Sequence, residues 1–170
     1  MIPELTIRFA TADDIPLIEQ LAQQIWPAAY KEILSPEQSA YMMEMIYSPA
    51  SLQKQLVQQQ HTFLIISYNN LPIGFASYSP LNTPGIYKLH KIYVDSSIRG
   101  KGIGKAIIDF IVMEIKGNAN ALWLNVNRYN KARFFYEKIG FTIIKEEDID
   151  IGNNYFMNDY VMELKINNTN

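Results

Sequence analysis

The segment Arg99-Gly100-Lys101-Gly102-Ile103-Gly104-Lys105 packs three glycines and three cations into seven residues. It stands between an apolar, strand-like run from Tyr87 to Val94 and an apolar, helix-like run from Ala106 to Ile115. Strand, glycine loop, helix is the order that builds an anion site, because glycine leaves the backbone N–H groups accessible and the following helix turns its positive end toward the same point. A nucleotide P-loop needs Gly, four residues, then Gly-Lys-Ser/Thr. Here the position five before Gly104 is Arg99, and Ala106 stands where the magnesium-binding hydroxyl belongs. The dinucleotide fingerprint fails as well, because Lys105 occupies the place of its third glycine and no short βαβ unit near the N-terminus frames the loop. What remains is Arg-x-x-Gly-x-Gly directly after a strand.

A second segment follows the strand-like run Ala121-Leu122-Trp123-Leu124-Asn125-Val126-Asn127. It reads Asn130-Lys131-Ala132-Arg133-Phe134-Phe135-Tyr136-Glu137-Lys138-Ile139-Gly140-Phe141. Asn130 is a favourable N-cap, Gly140 a favourable residue just past a helix end, and Ala132, Phe135, Tyr136 and Ile139 recur at helical spacing on one face.

The first segment resembles the acetyl-coenzyme A pyrophosphate loop of the GCN5-related N-acetyltransferase (GNAT) superfamily, Gln/Arg-x-x-Gly-x-Gly/Ala. The second resembles that superfamily's Asn-x-x-Ala-x-x-Phe-Tyr-x-Lys-x-Gly-Phe motif at each of those positions. The resemblance runs from Tyr87 to Phe141. It implies an α/β fold, a mixed sheet with helices on both faces, and acetyl-coenzyme A as co-substrate of a direct acetyl transfer to a primary amine. It places the pyrophosphate on Arg99, Gly100, Lys101, Gly102, Ile103, Gly104 and Lys105. It also implies that the backbone of Ile92, Tyr93 and Val94 pairs with the pantetheine arm, with the Val94 N–H facing the thioester oxygen. Sheet core is the other role open to those three residues, and the two are compatible because only the backbone is used.

Acetyl transfer from a thioester to an amine needs a neutral amine and a proton for the departing thiolate. Tyr136 is the expected acid: a phenol near pKa ~10 stays protonated at neutral pH and is roughly matched to a thiol near ~8.5. A tyrosine on an apolar helical face also serves as core. Asn130 is expected at the cofactor as well as at the cap. The expected base is His90, two residues before the cofactor strand segment, where relatives often carry a glutamate. Its imidazole titrates near ~6.5, and a structural histidine is the alternative. His61, in an expected turn, and Asn125 and Asn127 at the end of their strand are lesser candidates.

The 170 residues suit one domain, 1–170, with an ordinary apolar content of 48%. A net charge of −2 gives no support to nucleic-acid binding. The absence of cysteine removes disulfides, thiolate metal sites and a cysteine nucleophile; no metal is expected, and a cytoplasmic address is. No apolar run approaches the ~20 residues that span a bilayer, and Met1-Ile2-Pro3-Glu4 does not begin like a secretion signal.

Thr6 to Ala10 reads as a first strand, with Thr11-Ala12-Asp13-Asp14 starting a helix toward Trp26. Ser35-Pro36-Glu37-Gln38 opens a helix reaching Tyr47, and Ser48-Pro49 opens another through Val57. Thr62 to Ser67 and Ile73 to Tyr78 form a hairpin around Asn69-Asn70-Leu71-Pro72. Ser79 to Gly85 is a loop. Phe141 to Lys145 and Tyr160 to Ile166 are closing strands around an acidic, Gly-Asn-rich loop, and the last four residues are expected to fray.

In the resembling superfamily the first helices and last strands select the acceptor. Here they carry Trp26, Tyr30, Glu32, Glu37, Tyr41 and Glu44, then Glu146, Glu147, Asp148 and Asp150. Aromatics with carboxylates suit a cation, although acidic side chains are commonly solvated surface. Together with Tyr41-Met42-Met43 and Asp159-Tyr160-Val161-Met162, they are similar to the branch that acetylates polyamines such as spermidine. The expected partner is thus a small-molecule amine, with a homodimer possible. The alternatives are acetylation of a protein N-terminus or lysine, and a non-catalytic coenzyme A-binding module.

Overall fold

In the computed structural model, residues 4–98 and 100–167 are described. The strands are β1 Leu5–Phe9, β2 Thr62–Tyr68, β3 Leu71–Pro80, β4 Ile86–Val94, β5 Ala121–Asn127, β6 Thr142–Gly152 and β7 Tyr155–Lys165. The α-helices are α1 Ile15–Tyr30, α2 Pro36–Tyr47, α3 Pro49–Gln53, α4 Ile103–Ile115 and α5 Ala132–Ile139. Hydrogen bonding orders the strands β1-β2-β3-β4-β5-β7-β6 in one seven-stranded sheet. The β4–β5 pair is parallel, whereas β1–β2, β2–β3, β5–β7 and β6–β7 are antiparallel, so the sheet is mixed as expected.

The chain condenses into two compact units. The first takes the residues up to Ser79 and Lys91–Phe110; the second takes Pro80–His90 and everything from Ile111 onward. Strand β4 divides between the two units after His90 and helix α4 after Phe110.

In the first unit the strand pairing Phe9↔Leu64 and Ile65↔Phe75 puts Phe9 and Phe75 on opposite faces, because neighbouring residues of β2 point opposite ways. Phe9 meets Phe110 of α4 at 5.8 Å between ring centroids, and Phe75 meets Tyr47 of α2 at 5.9 Å. Helices thus cover both faces of this part of the sheet. The expected caps hold: Ser35 Oγ accepts from the Gln38 N–H at 3.1 Å and Ser48 Oγ from the Ser51 N–H at 3.3 Å, each before a proline at the first helical position. Helix α1 runs through Pro27 to Tyr30, beyond the expected end near Trp26. The third helix closes early, at Gln53, and the chain continues as a π-turn over Lys54–Gln58. That turn sends the buried Gln55 inward, where its amide donates to the Ile46 carbonyl at 2.8 Å and its Oε1 accepts from Lys91 Nζ at 2.7 Å.

Two expected connections are tighter than the sequence reading. The turn between β2 and β3 is the residue pair Asn69-Asn70, both with positive φ, and Leu71 and Pro72 already belong to β3. In the second unit the expected acidic loop is strand. β6 and β7 continue from Thr142 to Gly152 and from Tyr155 to Lys165 around Asn153-Asn154, again both with positive φ. Asparagine tolerates the left-handed region better than other non-glycine residues, which lets two of them close a hairpin in the twist that the strands prefer. Glu147 pairs with Asp159 across this hairpin and Asp150 with Phe156. The acids Glu146, Glu147, Asp148 and Asp150 line an edge strand instead of filling a loop.

Candidate active site

The glycine loop belongs to the first unit. Gly100 and Gly102 have φ of +75° and +70°, and a Cβ at either would meet nothing within 4 Å. Glycine is needed there for the left-handed backbone and not for lack of room. The Gly102 carbonyl accepts the first α4 bond, from the Ala106 N–H at 3.0 Å, so the N–H groups of Ile103, Gly104 and Lys105 precede the intrahelical ladder and point out of the helix start. These features fit a diphosphate. Lys105 extends beside Asp109 at 2.7 Å, a solvent-exposed pair, and Lys101 Nζ lies 5.6 Å from the centroid of the Tyr68 ring. Arg99 lies outside the described residues.

The end of β4 is set against β3. The Asp95 N–H donates to the Ile73 carbonyl at 2.8 Å, and the Tyr93 carbonyl abuts Gly74, where a Cβ would overlap it. Tyr93 and Asp95 therefore direct their backbone groups toward β3. By alternation Ile92 and Val94 direct N–H and C=O to the opposite edge. That edge is the one on which an extended ligand can add as a strand. The Tyr93 side chain is anchored from behind, its hydroxyl 3.3 Å from that of Tyr30, and Tyr30 stacks on Trp26 with centroids 4.6 Å apart. Tyr47 is buried beside them, and burial pushes its phenol well above the usual range.

Tyr136 is in the second unit, on α5. Only 9% of it is exposed, and its ring meets Phe135 and Phe141 edge-on at 5.2 and 5.7 Å. The expected apolar face of α5 is narrower than the spacing implied, because Phe135 is exposed while Phe141, after the helix, is buried. The cap shifts by one residue. Asn130 Oδ1 accepts from the Ala132 N–H at 2.9 Å while Lys131 takes the N-cap position, so Asn130 closes the turn that starts α5. The buried Asn127 belongs to the same corner: its Oδ1 accepts from the Tyr129 N–H and its carbonyl from the Asn130 N–H, both at 2.9 Å. That accounts for Asn127 as a residue that shapes the β5–α5 corner.

A polar cluster that the sequence reading did not assemble lies on β4, β5, β6 and β7 of the second unit. Asn125 Nδ2 donates to Glu147 Oε2 at 3.1 Å and to Asp159 Oδ2 at 3.2 Å. Lys145 Nζ holds the other Glu147 oxygen at 2.9 Å. The two carboxyl groups are pushed apart. The bonds from Lys145 and Asn125 hold Glu147 below the usual carboxylate range, while burial raises Asp159 despite the same amide. Lys88 on β4 is lowered by burial, against the attraction of Glu147 and Asp159. The sequence marks Asp159 only as part of Asp159-Tyr160-Val161-Met162, because its partners come from three other strands that only the sheet order brings beside β7.

His90 ends the second unit's share of β4, one residue past the last parallel pair, Leu89↔Leu124. His61 stands in the turn before β2, its N–H bonded to the Gln55 carbonyl at 2.9 Å.

Residues 28–161 match the acetyltransferase (GNAT) domain family. The chain belongs to the GNAT family. It is an N-acetyltransferase, and acetyl-coenzyme A is its acetyl donor. Among curated relatives, the chain is 28% identical over 137 residues to the [ribosomal protein bS18]-alanine N-acetyltransferase of Haemophilus influenzae, covering 80% of this chain and 87% of that one. Among solved structures it is similar to the PaiA N-acetyltransferase of Thermoplasma acidophilum in complex with coenzyme A, at 27% identity and a TM-score of 0.76 over 95% of this chain and 99% of that one. The fold is also shared with the ribosomal-protein-S18-alanine N-acetyltransferase of Escherichia coli, at 19% identity and a TM-score of 0.70 over 96% of this chain and 94% of the other.

The acceptor-side expectations need revision on two points. Trp26, 1% exposed, is a core residue packed on Tyr30 and Tyr47 and has no face to offer a cation. The acids of β6 are engaged as well: Arg128 holds Glu146 and Asp148, and Lys145 holds Glu147. Glu32, Glu37 and Glu44 are exposed. Between α1 and α2 an apolar hollow of about 370 Å³ opens among Pro27, Leu34, Ala40 and Met43, with Lys31 beside them. Among the described residues no helix is long and apolar enough to cross a membrane.

Proposed function

We propose that this GNAT enzyme acetylates a primary amine on a small cationic molecule, with polyamines such as spermidine as the first class to test. The observation that carries the catalytic part is the α4 start: glycines in the left-handed region, open N–H groups at Ile103 to Lys105, and Lys101 and Lys105 nearby, a cradle for the donor's diphosphate. On this reading the outward edge of Ile92 and Val94 lines up the donor's arm, and the Val94 N–H faces the carbonyl oxygen on which charge develops. Tyr136 gives its proton to the thiolate. Asn130 holds the turn that carries Tyr136 and touches the donor. Removal of the amine proton falls to the second unit, where the sequence offers His90. Attraction of a cationic acceptor rests on the exposed Glu32, Glu37 and Glu44. The setting is taken to be the cytoplasm, on the absence of cysteine.

A second reading is favoured by the curated relative that acts on ribosomal protein bS18: acetylation of a protein N-terminal amine, the acceptor being the end of a chain instead of a free small molecule. One panel separates the two. Free-thiol release from acetyl-coenzyme A is measured with spermidine, a neutral monoamine and an alanine-initiated peptide. Turnover fastest with spermidine, and falling as salt rises, supports the polyamine reading. Turnover confined to the peptide replaces it with the second.

A further inference from the structure

Two alternate residues of β4 send polar side chains into the interior of the first unit, the unit that also carries the glycine loop. Lys91 is 8% exposed, and its ammonium donates to Gln55 Oε1 at 2.7 Å beside the rings of Tyr47 and Phe63, 5.9 and 5.5 Å from their centroids. Tyr93, two residues on and on the same face, packs on Phe75 at 5.7 Å and sets its hydroxyl 3.3 Å from that of Tyr30. It also hydrogen-bonds the buried Tyr47, whose phenol is kept protonated by that burial. Gln55 comes into reach through the π-turn, which the Gln59 N–H closes on the Lys54 carbonyl at 2.9 Å. Its amide is fixed in turn, donating to the Ile46 carbonyl at 2.8 Å and to Ser51 Oγ at 3.0 Å. Such turns are rare and concentrate at functional sites.

A buried ammonium is a poor choice for stability alone, because an apolar side chain of similar volume commonly serves the fold as well or better. Its place points to another task. The parallel pairs of β4 with β5 end at Leu89↔Leu124, and the last residues of β4 are set against β3 by the Asp95 N–H on the Ile73 carbonyl and by the Tyr93 carbonyl against Gly74. Those contacts fix the distance to β3 and leave the strand end free to pivot about that edge. Lys91 and Tyr93 remove the pivot, because they tie the strand across the sheet face to the π-turn and to Tyr30 and Tyr47, the last residues of α1 and α2.

We infer that Lys91 and Tyr93 are positioning residues for acetyl transfer: anchored by Gln55, Tyr30 and Tyr47, they hold the end of β4 so that the Val94 N–H meets the thioester oxygen. The inference rests on the donor-edge part of the reading above. Neither side chain touches the reacting atoms. The brace acts on alignment more than on affinity, because the contacts with β3 survive without it, and its loss is felt where charge develops on the carbonyl oxygen.

The test compares Lys91→Met and Tyr93→Phe with the wild type, all as the full chain, by isotope-edited infrared spectroscopy of bound acetyl-coenzyme A labelled at the thioester carbonyl. Thiol release with spermidine and with an alanine-initiated peptide, calorimetric affinity for acetyl-coenzyme A and Tm are measured alongside. In the wild type the N–H polarises the carbonyl, and its stretch lies below that of the free thioester. In each variant the band moves back toward the free position, kcat falls by about ten- to a hundredfold, and acetyl-coenzyme A affinity stays within about threefold. Tyr93→Phe, which deletes one oxygen and keeps the ring, decides the matter if Lys91→Met does not fold. A band that shifts on binding to the wild type and stays at that position in folded Tyr93→Phe overturns the inference and leaves the donor-edge reading standing. So does a kcat loss that comes with a lowered Tm and no movement of the band, since that is the mark of a merely structural role. A wild-type band at the free position overturns both.

Discussion

Gly74 of β3 lies against the carbonyl oxygen of Tyr93 on β4, so closely that a Cβ at position 74 would overlap it. The contact fixes which way the backbone groups at the end of β4 point, and with them the edge presented by Ile92 and Val94. Gly74→Ala is expected to push β4 away, because backbone on both sides leaves nothing flexible to yield. A folded variant loses acetyl-coenzyme A affinity by about tenfold or more, read by calorimetric titration, with a lowered Tm. Unchanged affinity would mean that the β4 edge does not bind the donor.

Gly102 differs from Gly74 in kind, since its surroundings are empty and only its φ is special. Gly102→Ala carries a conformational cost of about 1–2 kcal/mol from the left-handed region. Gly102→Asp adds a negative charge at the start of α4, where the helix dipole and open N–H groups favour an anion. The Asp variant should therefore bind acetyl-coenzyme A more weakly than the Ala variant, and the gap between them should shrink with added salt. Equal affinities in the two variants would remove the diphosphate from this loop.

Tyr136→Phe keeps the edge-on packing against Phe135 and Phe141 and deletes one oxygen. If that oxygen protonates the thiolate, kcat falls by about 10²–10⁴-fold while cofactor affinity and Tm stay near the wild-type values. A loss smaller than about threefold would leave Tyr136 as packing, with water as the acid.

Asp159 carries a cost in stability whose sign can be checked. Its pKa is raised in the folded protein, chiefly by burial, so the folded state holds this proton more tightly than the unfolded chain does. Ionised Asp159 therefore destabilises the fold at pH values above its folded pKa, and the penalty is relieved as pH falls below the unfolded value near ~3.9. Asp159→Asn should raise Tm at pH 7, with the gain over wild type shrinking on acidification toward that value. A lower Tm at pH 7 would show that the carboxylate supports the fold instead.

The local half of this protein was legible in the chain. Ser35 and Ser48 before prolines, the glycine loop ahead of α4 and the Asn130-to-Phe141 helix are written in neighbouring residues, and each formed close to where its sequence places it. Propensity, capping and left-handed glycine act over a few residues, so spacing along the chain is enough to read them. The closing hairpin reads as a loop in the chain because its turn is two asparagines and β6 carries the run Glu146-Glu147-Asp148, which takes strand form only once β7 pairs with it.

What the sequence by itself determined is the family and the donor, through contiguous motifs whose conformation is set by neighbouring residues. Tertiary structure alone decided that Trp26 is core and that Gly74 must be glycine. It also decided that Asp159, Asn125, Glu147 and Lys88 meet. Those facts depend on which strands lie side by side, since burial and pKa are set by neighbours distant in the chain and joined only by the order β4-β5-β7-β6.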